Sequence, residues 1–198
     1  MINLFHLAKY TFLDLINNNK VKKDISGIWI FCGLYGQGKT LSMSLTAKLL
    51  HDKGYSVYSN YGLVFQTGSI SSWKDLFSIP HDSVVCLDEI SNLINSRDWK
   101  NMPSDFFSLL TQNRKMNIRI MGTAQVYDDV DKQFRTLVRY IVHCAKYGRV
   151  QVNTFYNQIG YLHTVDKRKS LFTDRFVVLN EYFDFYDTFE VIRKLGVN

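Results

Sequence analysis

Proline is almost missing from this chain, with two in 198 residues, and no stretch is low in complexity. That excludes a proline-rich spacer or a disordered binding segment. Cysteine is also scarce: Cys32, Cys86 and Cys144 are far apart, each sits in an apolar run, and none is near a histidine cluster. A disulfide framework and a zinc knuckle are both excluded, and the three read as core thiols in a reducing cytoplasm. No apolar run reaches the roughly 18 residues of a membrane span. His6, Lys9 and Asp14 interrupt the segment Ile2 to Ile16, and no small-residue cleavage site follows it, so it does not read as a secretory signal.

What is present fits a single globular domain. Hydrophobic residues make up 46% of the chain, enough for a real core. The net charge of +6 is uneven, with nine Lys/Arg against eight Asp/Glu over residues 1–99 and fifteen against ten over residues 100–198. A basic second half suits contact with a phosphate backbone, and it also suits an ordinary solvated face.

Hydrophobic periodicity organises the chain. Leu4, Leu7, Ala8, Phe12 and Leu15 recur at helical spacing, giving an amphipathic helix and polar linker over residues 1–24, followed by the main domain over 25–198. Strands are expected at Ile28 to Cys32, Tyr55 to Ser59, Val84 to Asp88, Ile118 to Thr123 and Tyr140 to Tyr147. Helices are expected at Leu41 to Lys53, Pro103 to Lys115 and Val130 to Val138. Gly148-Arg149 reads as a hairpin turn into Val150 to Tyr156. Strands alternating with helices and closing on a hairpin predict an α/β fold: a mostly parallel sheet with a late antiparallel extension.

Between the first strand and the first helix stands Gly33-Leu34-Tyr35-Gly36-Gln37-Gly38-Lys39-Thr40, with Leu41 opening the helix. This is the strand, glycine loop and helix order of a phosphate-binding loop. Its backbone N–H groups can curl around phosphate oxygens because Gly33 and Gly38 permit angles and approaches that a Cβ forbids. Lys39 would reach the β- and γ-phosphates of ATP, and the Thr40 hydroxyl would ligate Mg²⁺.

Asp88-Glu89 ends a continuous apolar strand, where open α/β sheets hold their ligands. Asp88 would complete the Mg²⁺ shell and Glu89 would act as general base on the attacking water. A third element, Ile118 to Gln125, places Thr123 and Gln125 at the same sheet edge, where Gln125 either senses the γ-phosphate or merely caps the next helix. Arg114 stands at the end of the preceding helix. It, Arg135 or Arg139 can serve as an arginine finger for a neighbouring subunit, or simply form surface ion pairs.

Gly33 to Thr40, Tyr58 to Leu63, Val84 to Ile90, Thr111 to Gln125 and Tyr186-Asp187-Thr188 together resemble the FtsK/HerA-type translocase ATPases, in the branch of zonula-occludens-toxin-like and viral genome-packaging proteins. The resemblance spans residues 26–190. It implies a RecA-like P-loop core with helices on both faces of the sheet, a homo-oligomeric ring of five or six subunits, and movement of double-stranded DNA driven by ATP hydrolysis at subunit interfaces. It also implies catalytic roles for Lys39, Thr40, Asp88, Glu89 and Gln125. Filamentous-phage assembly proteins of this type continue into a membrane span that this sequence lacks. The expectation is therefore a cytoplasmic packaging motor with a portal or capsid partner; the alternative is a morphogenesis ATPase docked on a separate membrane protein.

For DNA contact the candidates are Arg149, Arg135, Arg139 and Lys167-Arg168-Lys169, with Tyr147 and Tyr156 for stacking. The aromatic tail from Phe172 to Phe189 reads as core or subunit contact. A small-molecule kinase usually needs an arginine-rich lid, and no compact lid is evident; the Asn-Lys-x-Asp guanine reader of a regulatory GTPase is absent. The second alternative is a scaffold whose assembly ATP merely orders, or a small-molecule kinase.

Overall fold

The architecture comes from a computed structural model, which describes residues 26–90, 108, 110–161 and 169–186. The N-terminal helix and linker expected over residues 1–24 lie outside the described residues, as do Lys167, Arg168 and most of the helix expected over 103–115; Leu110, Thr111 and Gln112 form its helical end.

Eight strands form one sheet in the order β3-β2-β4-β5-β1-β6-β7-β8. In chain order they are β1 Gly27–Cys32, β2 Ser56–Ser59, β3 Gly68–Ser69, β4 Ser83–Leu87, β5 Arg119–Ala124, β6 Val138–Tyr147, β7 Val150–Asn157 and β8 Phe172–Val177. The first six in space run parallel, while β7 and β8 are antiparallel. The mostly parallel RecA-like sheet with a late hairpin therefore stands as expected, with β8 as an added edge strand.

The central strands β1, β4 and β5 are buried almost throughout and mostly apolar because both of their faces are covered. Trp29, Phe31, Val84, Cys86 and Met121 point to one face, where the helix α1 (Lys39–His51) packs Met43, Ala47 and Leu50 against them. Ile28, Ile30, Val85, Leu87 and Ile120 point to the other, covered by Leu76, Leu110, Tyr127, Phe134 and Tyr161 from short helical turns. Gly122 belongs to this packing, since a Cβ there would lie 2.8 Å from Ile90 Cδ1. Cys32, Cys86 and Cys144 are buried free thiols, and burial pushes the Cys144 thiol up to about 12.

The long helix expected over Val130 to Val138 is a correction. One turn forms, α2 (Lys132–Arg135), capped by Asp131, whose carboxylate accepts from Gln133 N at 2.7 Å. Val138 instead opens β6, because its backbone is drawn into pairing with Ile28 of the central strand. A further single turn, α3 (Gln158–Tyr161), follows β7.

Candidate functional site: a phosphate cradle and an acidic strand end

The loop of Gly33 to Thr40 joins the C-terminal end of β1 to α1. Two glycines are dictated by space. A Cβ on Gly33 would stand 2.6 Å from the Cys144 carbonyl oxygen of β6, and one on Gly38 would overlap the Gln151 side chain of β7. Gly38 is also the N-cap of α1 in the left-handed region, at φ 73°. No side chain caps that helix and its first turn carries no acid, so its N–H groups and positive dipole end face the loop. Such a cradle fits a polyphosphate. Lys39 folds back over it, donating from Nζ to the Leu34 carbonyl at 3.1 Å, and Leu34 and Tyr35 are exposed at its rim.

Asp88 lies beside the first turn of α1. Thr40 Oγ1 donates to Asp88 Oδ1 at 3.0 Å, and Thr123 Oγ1 donates to the same oxygen at 2.5 Å. Burial pushes the Asp88 carboxyl above its ordinary range, and the bonds from Thr123 and Thr40 pull it back. A hydroxyl and a carboxylate converging at the cradle suit Mg²⁺, which takes one or two protein oxygens together with phosphate oxygens and water. Bound there, the ion would neutralise charge on the terminal phosphates.

Glu89 is exposed and takes a left-handed backbone, φ 53°, uncommon for a residue with a side chain. The strand end holds it there: Glu89 N donates to Thr123 Oγ1 at 2.8 Å. Asn60 pins the preceding residue twice, accepting from Asp88 N at 2.8 Å and donating to the Asp88 carbonyl at 3.1 Å. Glu89 is thereby held, exposed, at the strand end that carries the loop. This is where a base acting on a water would stand.

Gln125 belongs to the same edge. Its backbone carbonyl accepts from Gly33 N at 3.3 Å, and its side chain is exposed. The arginines do not join it. Arg114 is exposed in the turn that precedes β5, whose entry is tied to the start of β4 by Asn117 Nδ2 donating to Asp82 Oδ1 at 2.7 Å. Arg135 pairs with Asp128, and Arg139 donates to the Ser26 carbonyl at 3.1 Å, just before β1 begins. All three therefore sit at the amino-terminal edge of the parallel strands, opposite the chain's own phosphate loop. Arg149, at the β6–β7 turn, is on the loop's edge and donates to Asn180.

Sequence reasoning assigned no role to Thr123 or Asn60. Thr123 was placed at the right edge, but that its hydroxyl serves both acids is a contact between strands 34 and 35 residues apart in sequence. For Asn60, the available signal was its place immediately after a strand.

The sequence profile of the zonular occludens toxin (Zot) family matches residues 39–178. Among solved structures, the N-terminal domain of zonular occludens toxin from Neisseria meningitidis superposes with a TM-score of 0.58 at 20% identity, covering 82% of this chain and 99% of that one. B204, the DNA-packaging ATPase of Sulfolobus Turreted Icosahedral Virus, superposes with a TM-score of 0.53 at 12% identity, over 80% of this chain and 100% of that one. The genome packaging NTPase B204 of Sulfolobus turreted icosahedral virus 2, in complex with ATP-gammaS, gives 0.52 at 10% identity, over 73% and 95%. Among curated proteins, none matches this chain in sequence. With the phosphate loop, the acidic strand end and a profile match over residues 39–178, the chain belongs to the zonular occludens toxin family of P-loop NTPase fold.

Proposed function

We propose that this chain is a Mg²⁺-dependent ATPase that works as a ring of five or six copies and moves double-stranded DNA, most simply as a genome-packaging motor of a virus or mobile element. The observation that carries the reading is the Thr40–Asp88–Thr123 cluster beside the glycine cradle. A hydroxyl and a carboxylate beside a glycine loop, with Glu89 next in the chain and held by the same Thr123, support a reading as a metal ligand set and a base for cleaving a terminal phosphate. The names of the B204 neighbours, a packaging ATPase and an NTPase holding an ATP analogue, point the same way.

In this reading Gly33 to Leu41 wrap the phosphates, Lys39 leaves the Leu34 carbonyl for the β- and γ-oxygens, and Thr40 and Asp88 hold the ion. Glu89 takes the proton of the attacking water and Gln125 contacts the γ-phosphate or that water. Arg114 lies across the sheet from its own cradle, so its part in hydrolysis is played in a neighbouring subunit's site. The ring meets DNA through backbone phosphates, with Arg149 on the loop's edge as one contact. The setting is a host cytoplasm, with a portal or capsid protein as the docking partner.

Family membership favours a second reading, a morphogenesis ATPase that acts with a membrane partner. No helix among the described residues is long and apolar enough to cross a membrane. Steady-state ATP hydrolysis with increasing duplex DNA tests the motor: turnover that rises cooperatively with DNA supports it. Turnover that stays flat across the titration refutes DNA translocation in either setting.

A further inference from the structure

The phosphate loop does not rest on β1 and α1 alone. On its far side from Asp88 it is gripped by the antiparallel hairpin. Gln37 Oε1 accepts from the backbone N of Lys146 on β6 at 2.8 Å, and the Gln37 carbonyl accepts from Gln151 Nε2 on β7 at 3.0 Å. Gln151 Nε2 also donates to Asn153 Oδ1 at 3.0 Å, and Asn153 Oδ1 accepts from Ser42 Oγ in the first turn of α1 at 3.1 Å. Gln151 is 0% exposed and Asn153 4%. The three bonds that cross from the hairpin to the loop and to α1 join residues more than a hundred positions apart in the chain.

One atom of this array has no reason to be there on grounds of stability. Gln151 Oε1 is buried without a hydrogen-bond partner among the described residues, and it points at Gly38, where a Cβ would collide with it. An orphaned buried acceptor is a cost that an apolar side chain of the same size would avoid. Costs of this kind gather where geometry is held for function. The Nε2 end of the same amide fixes the direction of the Gln37 carbonyl. Because a peptide unit is planar, fixing that carbonyl also fixes the N–H of Gly38, in the middle of the cradle.

We propose that Gln151 is a positioning residue for the phosphate loop: from the β6–β7 hairpin it locks the Gln37–Gly38 peptide so that the cradle is set for a triphosphate before one arrives. The inference rests on the nucleotide-binding reading above. Pre-organised donors need no rearrangement on binding, so losing the lock lowers nucleotide affinity more than it lowers fold stability. The hairpin thereby becomes part of the nucleotide site, although no residue of it carries a phosphate-loop motif.

The test is the dissociation constant of ATPγS with Mg²⁺, read by calorimetry on the full chain, beside thermal melting without nucleotide. Gln151→Leu keeps the bulk and loses both donors; it should bind about tenfold or more weaker, the size of one lost charge-directing contact. Ile141→Val, a fully buried change on the opposite face of β6, provides a core-destabilised control whose affinity should stay within about twofold of wild type. Affinity of Gln151→Leu within about twofold of wild type overturns the proposal.

Should the leucine variant not fold, Gln151→Glu decides. At about pH 8 its carboxylate opposes the Gln37 carbonyl and binding should weaken. At about pH 5.5 a protonated carboxyl donates again, so the ratio to wild type measured at the same pH should shrink. A ratio near one at both pH values refutes the lock. If wild type itself does not bind ATPγS, the nucleotide reading fails, and that outcome is distinct from a failure of the lock alone.

Discussion

Replacing Thr123 with valine removes one hydroxyl and almost no volume, and its effects follow from two bonds. The hydroxyl accepts from Glu89 N at 2.8 Å and donates to Asp88 Oδ1 at 2.5 Å, and Thr123 is 1% exposed. Losing a hydrogen bond to a carboxylate costs about 1.5–3 kcal/mol, and stranding a backbone N–H about 1–3 kcal/mol. The two overlap in one site, and release of the left-handed strain at Glu89 offsets part of the sum, so a net loss of roughly 2–4 kcal/mol is expected. Part of this appears in urea unfolding. The rest appears in turnover, because Glu89 is freed to leave its position; a loss of about 1.4–2.8 kcal/mol there means about tenfold to hundredfold in kcat.

The variant should also acquire a pH dependence. Burial already pushes the Asp88 carboxyl up, and the Thr123 bond is the largest influence pulling it down. Without that bond the carboxyl is protonated at higher pH, and Mg²⁺ affinity falls off sooner on acidification. Single-turnover ATP hydrolysis, Mg²⁺ titration and urea melts read the three effects. Wild-type turnover with an unchanged urea midpoint would mean that Thr123 holds neither acid, and the account of Glu89 would fall with it.

Other consequences can be checked separately. Glu89→Gln should keep ATP binding while slowing hydrolysis by about 10²- to 10⁴-fold, and equal turnover removes the base from that position. Mixing Arg114→Ala subunits with Lys39→Ala subunits should restore hydrolysis to part of the wild-type rate, since a mixed interface then pairs an intact cradle with an intact arginine. Mixtures no more active than either parent assign Arg114 a local role. Asp174 on β8 is buried, and burial raises its carboxyl from 3.8 to about 6. The fold therefore favours the neutral form. The contribution of this group to stability is greatest below about pH 4 and declines as pH rises toward about 6, leaving a cost on the order of 3 kcal/mol at neutral pH. Asp174→Asn should accordingly raise the urea midpoint at about pH 7.5 and change it little at about pH 4; the same shift at both, or none, rejects the assignment.

Much of the site was legible in the chain because its parts are local. A glycine loop between an apolar strand and a helix identifies itself within a dozen residues, and Asp88-Glu89 ends an apolar run that only a strand covered on both faces would tolerate. The mostly parallel character of the sheet was legible for a related reason: parallel strands buried on both sides read as continuous apolar runs, whereas the strand order came from the structure.

Tertiary structure decided what depends on residues meeting across the sheet. Val138 entered β6 because Ile28 was there to pair with it, which cut the expected helix to the single turn α2. Phe172 to Val177 became an edge strand because β7 offered an open edge. Thr123 between two acids, Gln151 against Gly38, and three arginines at the edge opposite their own cradle are relations between segments tens of residues apart or more. A linear pattern carries no information on which distant backbone a side chain will face. It specifies the chemistry available, while folding specifies the distances at which that chemistry acts.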